Sequence, residues 1–222
     1  MRSMAVFRFP VGRALVAVFA LAAAFLAQPP AVGAADQPAI VPAAQALVKS
    51  FADDGVRLLE DRAASPAVRA ERFRGLLRQY FATDVIARWV LGRHWNQFDA
   101  AQREEYYRLF EDLVVYGYAK RFGEYTGERL RIVRTAADSD SQATVFSEID
   151  RPAGGQPIRV DWRIGGRDGI FRITDVIVEN VSLSQTWRSD FSATIQQGGG
   201  TALLDTLRTR TAQLKADIGV AP

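Results

Sequence analysis

The feature that most constrains this 222-residue chain is a change of hydrophobic period in its middle. Apolar residues recur at helical spacing from Ala43 to Asp61, at Leu47, Phe51, Val56 and Leu59. A second helix is predicted after Ser65-Pro66, a capping residue followed by a first-turn proline, with Phe73, Leu76, Leu77, Tyr80 and Phe81 along it. Thr83-Asp84 restarts a short helix that carries Val85, Ile86 and Trp89 to Leu91 and stops at Gly92. Asp99 opens the longest helical segment, through Tyr106, Phe110, Leu113, Val114, Tyr118 and Phe122, which Gly123 and Gly127 close. The period then falls to two over Leu130–Ala136, Ala143–Ile149, Ile158–Ile164 and Ile170–Val181, with turn-rich Asp138-Ser139-Asp140, Pro152–Gly155 and Gly165–Gly169 between them. Helical spacing returns at Leu183, Trp187, Phe191 and Ile195, breaks at Gly198-Gly199-Gly200, and ends with Leu203, Leu204, Leu207 and Leu214. Helices, then four strands of an antiparallel meander, then helices define an α+β fold in which one sheet face is covered.

Charge is informative only after it is located. Arg2, Arg8 and Arg13 precede the apolar run Ala14–Ala27, and small residues follow at Val32–Ala35, with no acid before Asp36. A basic start, a short apolar middle and a small-residue end describe an export signal, cleaved near Ala34 or Ala35. The apolar run is shorter than the ~20 residues a membrane-spanning helix needs. Residues 1–35 therefore read as a leader and 36–222 as a single domain. Without the leader, 25 acids face an equal number of Lys and Arg, so the net charge of +3 belongs to the leader. A neutral chain lacks the field that holds a polyphosphate, which places nucleic acid outside the expected partners. With no Cys, disulfides, thiol catalysis, cysteine metal clusters and lipidated cysteine anchors are all excluded.

Sheet register follows from turn geometry. A tight turn at Asp168-Gly169, or a four-residue turn over Gly166–Gly169, pairs even-numbered with odd-numbered residues. Ile158, Val160, Trp162 and Ile164 then share a greasy face with Phe171, Ile173 and Ile177, while Arg159, Asp161, Arg163 and Arg172 lie opposite. Asp175 is the one polar residue this register puts on the greasy face.

From Trp162 onward the wording Phe171…Thr174-Asp175-Val176…Glu179-Asn180-Val181-Ser182…Trp187-Arg188…Phe191 resembles the MlaC, or toluene-tolerance, family. The family pattern is an aromatic or apolar residue, Asp-Val, Glu-Gly-(Val/Ile)-Ser, an aromatic-Arg pair and a closing Phe. Asn180 stands in place of the Gly and Trp187 in place of the usual Tyr; Asn tolerates the left-handed backbone such a Gly serves. Gly92-Arg93-His94-Trp95, Phe110, Tyr118 and Tyr125 resemble the helical half of the family, so the likeness spans about residues 45–215. Arg188–Phe191 and Gln196–Gly200 are similar to its hopanoid-associated branch.

The resemblance implies a curved sheet wrapped by helices, a nuclear-transport-factor-like cone around an apolar cavity. It implies a monomeric, non-enzymatic carrier in the periplasm that takes a phospholipid or hopanoid-type lipid. Its implied partners are an inner-membrane ABC transporter with a substrate-binding domain and an outer-membrane lipoprotein complex.

A diacyl lipid leaving a bilayer exposes roughly 30 methylenes, a cost on the order of 24 kcal/mol at ~0.8 kcal/mol each. Only an enclosed apolar volume offsets it. The candidates to line one are Phe81, Val85, Trp89, Phe110, Val114, Tyr118, Phe146, Val160, Trp162, Ile164, Ile173 and Leu183; the competing reading is that they fill a core. Asp175 is open to three readings: a buried general base of a cone-fold enzyme, a headgroup contact, or a structural acid held by an Arg or backbone N–H. A protein-binding adaptor with a filled core is the other alternative. His94 has no catalytic companions and reads as a satisfied or exposed loop histidine. One His among scattered acids forms no metal site, and neither Gly-rich stretch has the Lys of a phosphate loop, so no cofactor is expected. The arginines at 69, 72, 74 and 78 and at 129, 131 and 134 fit either a solvated, acid-balanced face or a surface for anionic lipid or an acidic partner.

Overall fold

A computed structural model describes residues 38–152, 154–167 and 169–220; the leader reading at 1–35 lies outside the described residues. Helix α1 (Ile40–Glu60) begins earlier than the periodicity predicts. Ile40 and Val41 are buried there, and Pro42 is accommodated because first-turn N–H groups have no acceptor within the helix. Ser65 caps α2 (Pro66–Tyr80) by accepting from the Val68 N–H. A short α3 (Thr83–Leu91) ends at Gly92, whose φ of 51° suits glycine and where a Cβ would strike the Arg188 guanidinium at 2.6 Å. Helix α4 (Ala100–Ala119) opens on a reciprocal capping box between Asp99 and Gln102.

Five strands follow in meander order: β1 (Arg129–Ser139), β2 (Gln142–Asp150), β3 (Ile158–Arg167), β4 (Ile170–Val178) and β5 (Val181–Ser182). All neighbours are antiparallel. The fourth apolar run, predicted as one strand, is two. Glu179 and Asn180 both take positive φ, 49° and 67°, and turn the chain so that Val178 pairs with Val181.

The predicted register holds at the start of β4, where Ile164 pairs with Ile173. Thr174 is then an extra residue, a bulge that inverts the alternation. Val176 and Val178 oppose Trp162 and Val160, and Ile177 opposes Asp161 on the wet face, contrary to expectation. Asp175 likewise pairs with Arg163, not with the greasy residues, yet it is buried because the start of the last helix closes over it.

That helix, α5 (Leu183–Asp217), is broken at Gly199 (φ 74°, ψ −176°), within the predicted glycine break. Helix α1 lies across β1, β2 and β4, so its Phe51, Val48 and Ala44 share a core with Val145, Val160, Trp162, Ile164 and Ile173. Helices α2 to α5 form a second core around Tyr106, Phe110, Phe191 and Leu207. The two cores meet along a seam tied by the Ala82 N–H to the Ile173 carbonyl at 3.0 Å.

Candidate functional site

An apolar cavity occupies the seam, with about 1060 Å³ of empty space including its mouth. The sheet side supplies Trp162 and Val176. Helix α1 supplies Phe51 and Leu59, α2 supplies Phe73 and Leu77, and the segment after it Phe81, Thr83 and Ile86. Phe110, Val114 and Tyr118 enter from α4, Arg121 and Phe122 from the turn after it, and Leu183, Ser184 and Trp187 from α5.

The aromatic rings brace one another. Phe51 meets Trp162, Phe81 and Tyr80 edge-on, with centroids 5.2 to 5.6 Å apart. Phe73 does the same to Phe122 at 5.3 Å, and Trp187 to Phe110 at 5.3 Å. Edge-to-face contacts at these separations fix ring orientation as well as adding stability. The Trp162 indole N–H is satisfied inside the sheet by Ser147 Oγ at 2.9 Å. Burial pushes the Tyr118 hydroxyl up to about 12, so it is neutral at any physiological pH.

Among the described residues the polar and charged side chains that line the cavity are Thr83, Arg121, Asp175 and Ser184. Asp175 accepts from the Ser184 N–H at 3.2 Å, the Val176 N–H at 2.9 Å and the Ser182 hydroxyl at 2.7 Å. Ser182 in turn accepts from the Gln185 N–H and caps α5. Both carboxylate oxygens are therefore committed to anchoring a helix start, where negative charge is favoured. Arg163 stands 4.0 Å away. The structural reading of Asp175 is the one this geometry fits. His94 is buried, with Ser192 and Gln97 each 3.1 Å from a ring nitrogen, and lines no part of the cavity. Among the described residues no group of three His, Asp or Glu side chains could hold a metal ion.

A family model described as MlaC protein matches residues 49–209, most of the chain. The chain belongs to the MlaC family. It is 24% identical over 140 residues to the intermembrane phospholipid transport system binding protein MlaC of Haemophilus influenzae, a match spanning 62% of this chain and 64% of that protein. A solved structure of a phospholipid-binding protein from Ralstonia solanacearum, in complex with a phospholipid, superposes with a TM-score of 0.68 at 23% identity. It covers 77% of this chain and 98% of that one, so the two share a fold.

Within this MlaC-family fold, six of the residues expected to line a cavity do so: Phe81, Phe110, Val114, Tyr118, Trp162 and Leu183. The other six are placed elsewhere. Val160, Ile164 and Ile173 are buried against α1, in the filled part of the sheet core. Val85 and Trp89 lie on the outer side of α3, 61% and 43% exposed, because Ile86, Ala87, Val90 and Leu91 take its inner side. Trp89 is capped by the Arg188 guanidinium, 4.6 Å from its ring. Phe146 is on the wet sheet face, under Arg134 and opposite Asp161. Its strand turns Ala143, Val145, Ser147 and Ile149 inward, and the Ser147 hydroxyl there accepts the Trp162 indole N–H.

Sequence reasoning missed Phe51, Leu59, Phe73, Leu77, Ile86, Phe122, Val176 and Trp187 as lining residues. Phe51, Leu59, Phe73 and Leu77 stood on recognised helical stripes, but a stripe does not say whether the far side is packed or void. Three of the four arginines of α2 are acid-balanced: Arg74 bonds Glu111 and Asp112, Arg78 bonds Glu111, and Arg72 bonds Asp61, whereas the buried Nε of Arg69 has no hydrogen-bond partner among the described residues. On the sheet, Arg131 pairs with Glu148.

Proposed function

We propose that this protein is an exported lipid carrier that holds the acyl tails of one phospholipid in the apolar cavity and leaves the headgroup at its mouth. The observation that carries this is the cavity itself, a space walled by aromatic and aliphatic side chains and interrupted by few polar groups. Such a space offsets the transfer cost of acyl chains, while offering no cluster of titratable groups to do chemistry. The phospholipid-transport description of the Haemophilus relative and the phospholipid in the Ralstonia structure support the same ligand class. Asp175, with both oxygens occupied by α5, is poorly placed to take a proton from a substrate.

On this reading residues 1–35 direct export to the periplasm and are removed, and residues 36–222 act as a monomeric single domain. The carrier receives lipid from, or passes it to, an outer-membrane lipoprotein complex and an inner-membrane ABC transporter with a substrate-binding domain. Transfer needs no turnover, only a difference in affinity between successive holders.

Native mass spectrometry and solvent extraction of gently purified protein test this. Phospholipid at about one per protein is expected, and a hopanoid in its place would move the assignment to the hopanoid-associated branch. Protein that arrives empty and cannot be loaded from vesicles would end the carrier reading.

A further inference from the structure

A second hollow adjoins the cavity and differs from it in chemistry. It has about 1100 Å³ of empty space including its open side, and Phe81, Thr83 and Phe110 line both. Beyond that shared wall the cleft is edged by Arg78, Arg108, Arg172, Tyr107, Asp84 and Glu111. Three arginines and two acids line it.

The arginines are not equivalent. Arg78 is held by Glu111 through both Nε and an Nη, and Arg108 reaches Glu104 at 2.7 Å. Arg172, half-buried on β4, donates to the Phe171 carbonyl at 2.9 Å, and no carboxylate among the described residues pairs with it. A guanidinium has five N–H donors in a planar fork that matches phosphate, so most of its capacity is uncommitted. An apolar hollow for tails therefore abuts a polar one that holds a single guanidinium unpaired with any carboxylate of the described residues, the complement of one phosphodiester.

We propose that this cleft is the headgroup subsite, with Arg172 binding the phosphate of the lipid whose tails lie in the cavity. The inference rests on the carrier reading. It adds that the protein selects phosphate-bearing lipids over neutral ones of the same chain length, by a charge-assisted contact strengthened next to a water-poor cavity.

The test compares phosphatidylglycerol with diacylglycerol of identical tails, each presented singly in non-ionic detergent micelles to delipidated full-length mature protein and quantified by native mass spectrometry. Wild type should prefer phosphatidylglycerol. Arg172→Gln should weaken it about tenfold, the scale of one lost bond to a charged group, and leave diacylglycerol within about twofold. Asp84→Asn, removing the exposed opposing charge, should shift phosphatidylglycerol binding the other way by about two- to threefold. Equal losses for both lipids in Arg172→Gln, or no loss for either, would overturn the subsite while leaving the carrier intact. Glycerol 3-phosphate binding as tightly as the whole lipid would mark a free-anion site and also overturn it. Failure of wild type to load either lipid would remove the carrier reading itself.

Discussion

Trp162 and Ser147 are joined across strands β2 and β3: the indole N–H donates to Ser147 Oγ at 2.9 Å, and that hydroxyl donates to the Val160 carbonyl at 2.6 Å. The serine thereby lets a large cavity-lining ring sit in the sheet with its one polar group satisfied. Ser147→Ala strands a buried donor and should cost ~1–3 kcal/mol, read as a lower urea midpoint with an unchanged slope. A midpoint equal to wild type would show that the ring is held by packing alone.

The cavity should be fillable from the protein side. Val176 faces it from β4 beside Trp162, and its side chain is only partly buried. Val176→Trp is expected to reduce lipid recovered per protein by more than half, with far-ultraviolet circular dichroism unchanged. Full lipid loading in a folded Val176→Trp protein would place the tails elsewhere.

Glu111 links the helices to acid stability. Burial pushes its carboxyl pKa up, but the hydrogen bonds from Arg78 and Arg74 outweigh this and hold it below the ordinary value of 4.5. A folded pKa below the unfolded one means stability that is present above ~pH 4.3 and lost as pH falls through the folded value. The gap in urea midpoint between wild type and Glu111→Gln should thus be widest near pH 7 and shrink steadily from ~pH 5 toward ~pH 2. A gap independent of pH would mean that shape, not charge, is what Glu111 supplies.

At Gly199 the backbone, not space, restricts the residue. Its φ of 74° is unfavourable for a side chain, and nothing lies within 4 Å of where a Cβ would be. Gly199→Ala should cost ~1–2 kcal/mol by conformational strain alone. At neighbouring Gly200 a Cβ would meet the Phe98 ring at 3.0 Å, so Gly200→Ala should also disturb the near-ultraviolet aromatic spectrum.

Much of the fold could be read from the chain. Ser65-Pro66 and Asp99 mark helix starts that the structure realises as caps, and the switch to period two locates the sheet. Less of the site was legible, for physical reasons. Phe110 and Ile173 belong to the same residue class, yet one borders a void and the other is packed solid. That difference depends on what stands opposite each of them. The Thr174 bulge has no signal in an alternating run, and it alone moves Asp175 and Ile177 off the face where simple alternation puts them. Phe146 points outward because the alternation of its strand turns Ala143, Val145 and Ile149 inward, and Ser147 on that inner face accepts the Trp162 indole N–H.

The break at Gly199 carries a consequence for how this molecule can change. Leu183, Ser184 and Trp187, ahead of it, border the cavity, whereas Leu203, Leu204, Leu207 and Leu214, behind it, are buried in the helical core. Phe191 and Ile195, between the two groups, are core residues as well, so drift confined to the first turns of the helix can retune what is carried without touching the side chains that hold the helices together.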